Sequence, residues 1–196
     1  MSKARRSYLA QVEATDYAIG IVLAALRDQG LEANTLLIFL GDNGGTKEWA
    51  DNSPFRGHKN QLFEGGIRVP FFVRWPRRLE ENRVYEQPVI SLDVFSTAIV
   101  AAGGTVPSDR PIDGVDLLPF LTGRESGSPH ENLYWKFAQW LAVRRGDYKR
   151  CQWRRRTLLF DLVADPGEVT NIAAERPELV ADLEASLRAW ESGFHK

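Results

Sequence analysis

Asp42 and Asn43 stand side by side in Gly41-Asp42-Asn43-Gly44-Gly45, where they offer a carboxylate and an amide carbonyl. Both are hard oxygen donors suited to Ca2+ or Mg2+. The glycines beside them let backbone approach an ion or an anion with no Cβ in the way. Asn-Gly is also a strong turn signal, and read alone the segment is a turn before it is a metal loop. Downstream, Phe55-Arg56-Gly57-His58-Lys59 and Glu64-Gly65-Gly66-Ile67-Arg68-Val69-Pro70 bring Lys59 and Arg68, which can hold an oxyanion by charge-assisted hydrogen bonds. Each also has a plainer reading: a solvated loop lysine, and an arginine paired with Glu64 or Asp51. His58, beside Lys59, has the chemistry to protonate a leaving group, although an exposed loop histidine is the simpler assignment. His130 and His195 are too scattered to complete a ligand trio with it, and His195, one residue from the end, reads as a frayed surface residue.

These residues need elements to place them. Residues 35–40 form an unbroken apolar run between Asn34 and Gly41, which reads as a strand buried on both faces and interior to an α/β sheet. Asp42 and Asn43 then fall at its carboxyl end, the edge where open α/β sheets bind ligands, with Lys59 expected nearby. Before it, Leu9, Val12, Ile19, Val22, Leu23 and Leu26 recur at helical spacing, and Gly30 marks the helix end. Residues 46–66 read as a long polar loop and residues 67–75 as a second strand. Asp93 opens an apolar helix that Gly103-Gly104 stops. Residues 105–131, rich in Pro, Gly, Ser and Asp, form the boundary between two domains, 1–131 and 132–196. Beyond it, the short β-prone segments 133–143, 147–153 and 157–163 predict a small antiparallel sheet. Pro177 opens a last helix, whose Leu183, Leu187 and Trp190 are expected to pack on that sheet.

Composition limits the function. With 25 Lys and Arg against 26 Asp and Glu, the 196-residue chain has a net charge of −1, so no global field drives it onto nucleic acid or an anionic membrane. The local run Lys149-Arg150-Cys151-Gln152-Trp153-Arg154-Arg155-Arg156 reads as a solvated basic face rather than a polyanion site. The lone Cys151 excludes an intramolecular disulfide and a multi-thiolate zinc site. No apolar run approaches the roughly 20 residues that span a bilayer, and Lys3 to Arg6 lead into no apolar signal core. Neither nucleic acid nor membrane is expected as a partner.

Taken in order, the motifs resemble the carboxyl-terminal portion of a sulfatase. Residues 8–30 are similar to the helix before the family's metal strand, and residues 34–44 to that strand and its Ser-Asp-Asn-Gly loop, with Gly41 in place of the serine. Residues 55–59 and 64–70 resemble the family's Arg-Gly-x-Lys and Glu-Gly-Gly-x-Arg-Val-Pro segment. Asp113-Gly114-Val115-Asp116-Leu117-Leu118-Pro119 and the run from Leu159 through Asp165-Pro166-Gly167-Glu168 to Asn171 resemble two later signatures. The resemblance implies an α/β fold: the carboxyl-terminal part of an alkaline-phosphatase-like sandwich, followed by a small antiparallel sheet and a C-terminal helix. It also implies a sulfuric ester hydrolase in which Asp42 and Asn43 bind Ca2+ (Mg2+ is the poorer fit) and Lys59 contacts the sulfate near the leaving oxygen, with His58 a weaker substrate contact. The family is typically periplasmic, secreted or lysosomal.

The family's nucleophile is a formylglycine made from the Cys of a Cys-x-Pro-x-Arg motif. No such motif occurs here: Cys151 is followed by Gln152-Trp153-Arg154-Arg155. The expected substrate is a sulfate ester, the expected partner a complementing N-terminal segment that carries the formylglycine, and the chain alone is expected to be inactive. Two other readings remain: a phosphatase or phosphodiesterase of the same superfamily, and a non-catalytic binding protein on a sulfatase scaffold.

Overall fold

The computed structural model describes residues 2–193, so His195 lies outside the described residues. The chain divides into two compact units, residues 1–41 with 70–130, and residues 42–69 with 131–196. The loop carrying Asp42, His58 and Lys59 is grouped with residues 131–196.

In the first unit, helix α1 (Lys3–Asp28) starts at Ser2, whose side chain accepts the Arg5 N–H. It ends in a Schellman motif: Gly30, at φ +66°, donates to Arg27 O and Leu31 donates to Leu26 O. No residue of α1 is buried. By length and composition alone α1 could cross a membrane, and this corrects the reading that no segment approaches that length. Glu13 and Asp16 interrupt the apolar run without outweighing the residues around them. Strand β1 (Leu37–Leu40) pairs antiparallel with β2 (Phe71–Arg74), with Phe39 opposite Phe72. Helix α2 (Glu64–Ile67) comes between them in sequence and belongs to the second unit. The reading of residues 35–40 as a fully buried interior strand needs correction. Among the described residues β1 has one strand neighbour, and Phe39 is 39% exposed.

Helix α3 (Asp93–Ala101) and the single turn α4 (Leu118–Leu121) complete this unit. Asp93, fully buried, accepts N–H groups from Ile90 at 2.8 Å and Val115 at 2.9 Å, and its oxygens lie 2.8 and 3.0 Å from His130 Nε2. One carboxylate therefore ties three irregular segments together. A Cβ on Gly114 would come 2.1 Å from Leu92 O, so only glycine allows that approach.

The second unit is built on a four-stranded antiparallel meander: β3 (Leu133–Phe137), β4 (Trp140–Arg145), β5 (Tyr148–Trp153) and β6 (Arg156–Asp161). Segment 133–143, read from sequence as one stretch, is a hairpin that turns at Ala138, which adopts φ +51°. Alternation along the strands sends side chains to two faces. One face packs Ala142, Cys151 and Phe160 with Leu62, Phe63 and Trp140. The other packs Val143 and Leu159 against Leu183 and Leu187 of helix α5 (Pro177–Gly193). Trp190 is half-buried, stacked on Tyr134 with ring centroids 5.1 Å apart. The expected sheet and docked helix are present. The expected solvated face is not: Lys149, Arg150 and Cys151 are each at most 1% exposed.

Candidate functional site

Residues 42–63 contain neither helix nor strand, so their shape rests on close backbone contacts and a few side-chain ties. Gly44 N–H donates to Gly66 O at 2.9 Å, and a Cβ on Gly44 would sit 1.9 Å from Gly65 O. A Cβ on Gly66 would meet Gln61 O at 2.0 Å. The paired glycines of the two motifs therefore exist for backbone lying directly on backbone. Asn52 clamps the loop: its Oδ1 accepts from Gly45 N, and its Nδ2 donates to the carbonyls of Gly45 and Gly57.

This framework brings the sequence-derived residues onto neighbouring loops. Lys59 N–H donates to Gly45 O at 3.0 Å, which fixes the Lys59 backbone beside the Asp42-Asn43 loop. Lys59 and Asp42 are exposed. Asp42 Oδ1 accepts the Asn43 N–H at 2.9 Å. Asn43 Nδ2 donates to Gly44 O at 3.1 Å, which leaves the carbonyl end of that amide for a ligand. His58 Nδ1–H donates to Lys59 O at 2.9 Å, which leaves Nε2 as the ring nitrogen free of that bond. Arg68 takes its plainer role, 3.9 Å from Glu64 Oε2 and stacked over Phe55. Among the described residues no group of three or more His, Cys, Asp or Glu could hold a metal.

Beneath these loops lies a charged network that sequence reading missed. Lys149 Nζ, fully buried, is 2.8 Å from Glu64 Oε1 and 2.9 Å from Glu168 Oε1. Glu168 Oε2 accepts the Glu64 N–H at 2.5 Å, and Arg56 Nη1 donates to Glu168 O at 2.8 Å. Arg144 Nη1 lies 3.8 Å from Glu64 Oε2. Burial alone would lower the Lys149 pKa, but Cys151, Glu64 and Glu168 outweigh it and hold the ammonium above its ordinary value. Burial pushes the Glu168 carboxyl up, against the pull of Lys149 and the Glu64 N–H. The Cys151 thiol, desolvated in the core, is raised to about 12. Its members sit in four separate segments, at Arg56, Glu64, Lys149 and Glu168, and no spacing rule joins them.

Residues 2–104, more than half of the chain, match the family model described as Sulfatase. The chain belongs to the sulfatase family. A second model, N-sulphoglucosamine sulphohydrolase, C-terminal, matches residues 56–192 of this sulfatase chain. It is 43% identical to steryl-sulfatase of Mus musculus over 137 residues, covering 65% of this chain and 22% of that protein. It is 40% identical to arylsulfatase D of Homo sapiens over 147 residues, covering 70% and 25%. The solved structure of Ps i-CgsB in complex with k-i-k-neocarrahexaose matches with a TM-score of 0.89 at 27% identity, covering 97% of this chain and 44% of that one. The phosphonate monoester hydrolase of Agrobacterium radiobacter matches with a TM-score of 0.70 at 27% identity, covering 89% and 39%. The sulfatase chain thus spans about a quarter of the length of these curated relatives.

Proposed function

We propose that this chain supplies the carboxyl-terminal part of a sulfuric ester hydrolase: one flank of the metal site, the sulfate-contacting lysine and the loops that hold them. The observation that carries this reading is the backbone bond from Lys59 N–H to Gly45 O, which joins the cation-bearing loop to the oxygen-donor loop. In this reading Asp42 and Asn43 give two oxygens to Ca2+, and the donor chemistry fits. One donor is a carboxylate, the other an amide whose NH2 is already committed to Gly44 O. Ca2+ takes about six to eight oxygens, so further ligands are assigned to a complementing N-terminal segment. When bound, the ion supplies positive charge that polarises a sulfate oxygen.

The chain's own residues then have defined tasks. Lys59 directs a mobile ammonium at the sulfate and at the charge developing on the leaving oxygen. His58, with Nδ1–H tied to Lys59 O, presents Nε2 as its proton-exchanging nitrogen. The nucleophile is assigned to the complementing segment, since no Cys-x-Pro-x-Arg occurs in this sequence.

The test is to read the gene upstream of Met1, join any reading frame carrying that motif to this chain, and assay aryl-sulfate hydrolysis with Ca2+. Hydrolysis is expected from the joined protein, falling at least a hundredfold in Lys59→Ala. Turnover by residues 1–196 alone that Lys59→Ala abolishes would overturn the division of labour. An upstream region without the motif, with a stable chain that binds sulfate but does not turn over, would favour the binding-protein reading. The likeness to the phosphonate monoester hydrolase supports a second reading, attack at phosphorus, and faster turnover of an aryl phosphonate than of the sulfate would establish it.

A further inference from the structure

The segment around Lys59 has no regular structure of its own, yet both of its ends are held by one distant residue. On one side Arg56 Nη1 donates to Glu168 O across 112 positions of sequence; on the other Glu64 N–H donates to Glu168 Oε2 across 104. Gly65 N–H closes the loop by donating to Arg56 O at 2.7 Å. Lys149, near the start of β5, donates to Glu64 and pairs with Glu168, and so ties Glu168 to Glu64.

Two features show that this anchor is specified rather than incidental. Lys149 and Glu168 are fully buried and Glu64 nearly so, although buried ion pairs are often matched in stability by well-packed apolar groups. Glu168 also adopts φ +53°, a left-handed conformation that favours glycine, and its neighbour Gly167 does not take that position. A carboxylate is kept where the backbone alone would select glycine.

We propose that Glu168 and Lys149 are positioning residues for the sulfate-contacting loop, which through Arg56 and Glu64 fix the backbone either side of His58-Lys59 against Gly44-Gly45. The consequence for catalysis rests on the sulfatase reading above; the positioning itself does not. The C-terminal sheet would then orient the lysine that reads the sulfate, rather than serve as an appendage to the catalytic domain.

The test is amide hydrogen exchange by NMR on residues 1–196, comparing the wild type with Glu168→Gln and, as a second variant on an exposed side chain, Arg56→Gln. Exchange at the Lys59 and Gly44 amides is expected to rise at least tenfold in both, with amides of β4, β5 and β6 staying within twofold. Unchanged exchange at Lys59 and Gly44 would overturn the proposal. So would a uniform rise across the sheet in both variants, because that is the signature of lost stability alone. Should Glu168→Gln not fold, Arg56→Gln decides by the same criterion. If the joined protein fails to hydrolyse sulfate esters while the local exchange effect is found, the activity reading falls and the positioning stands.

Discussion

Each unit of the molecule buries carboxylates, and the two solve the problem differently. In the first, Asp93 is satisfied by two backbone N–H groups and the His130 ring, all from nearby irregular segments. In the second, Glu64 and Glu168 share the ammonium of Lys149, with Arg144 and Arg68 at the margin. A carboxylate bonded to backbone donors behaves as a capping device, and those backbone partners survive most substitutions. A carboxylate neutralised by a side chain depends chiefly on that residue, although Glu168 also accepts the Glu64 N–H. The second arrangement therefore gives exact placement at the cost of fragility, and it lies under the loops that carry Asp42 and Lys59.

Removing the shared cation should expose that fragility most. Lys149→Met leaves two buried carboxylates facing each other, and breaking a buried pair typically costs about 3–5 kcal/mol. Denaturant unfolding followed by the fluorescence of Trp135, Trp140 and Trp153 reads the second unit. Adding Glu168→Gln should recover part of the loss, because one uncompensated charge then disappears. A loss below about 1 kcal/mol for Lys149→Met would show that the carboxylates do not depend on this lysine.

Asp93→Ala should cost less, roughly 2–3 kcal/mol, since it orphans backbone donors rather than charges. Asp93→Asn keeps an acceptor and should fall between the wild type and the alanine variant. Equal losses for both would mean that charge, not hydrogen bonding, holds the first unit, and the contrast between the units would collapse.

Much of this was legible in the sequence, and the failures have a common cause. The Gly41 to Gly45 loop, the Lys59 loop, the meander and the last helix all follow from local signals: apolar runs, glycines and turn residues. The charged core does not, because Lys149, Arg150 and the flanking arginines look alike as letters. Strand alternation places Lys149 and Cys151 on one side of β5, yet only the tertiary partners Glu64 and Glu168 make burial of the lysine tolerable. In the same way His130 and Asp93 are 37 positions apart, and no spacing rule joins them. The two-sided burial expected of residues 35–40 needed a second neighbour for β1, which the described residues do not provide.

A third, smaller effect separates the units by pH. The Cys151 thiol is raised from 9.0 to about 12 by burial. A thiol whose folded pKa exceeds its unfolded value contributes fully below pH 9 and loses that contribution as pH rises toward 12. The raised Lys149 pKa acts in the same direction at alkaline pH. Unfolding of the second unit is expected to become easier above pH 9, and Cys151 should resist iodoacetamide at pH 8 until the sheet unfolds. Rapid alkylation of the native protein would mean that the core opens far more readily than its packing implies.

The smallest effect belongs to the residue with the most chemistry. Lys59 is exposed, and what fixes its place is its backbone N–H on Gly45 O, a bond that alanine also makes. Lys59→Ala should therefore shift stability by no more than about 0.5 kcal/mol, the ordinary range for surface substitutions. Amide exchange at Gly44 should be unchanged, since the lysine side chain is not part of the anchor. Sulfate-ester hydrolysis by the joined protein should nevertheless collapse, because in the proposed reading the ammonium itself contacts the sulfate. A large stability loss in Lys59→Ala would show that the side chain supports the loop, and positioning and chemistry could no longer be assigned to different residues.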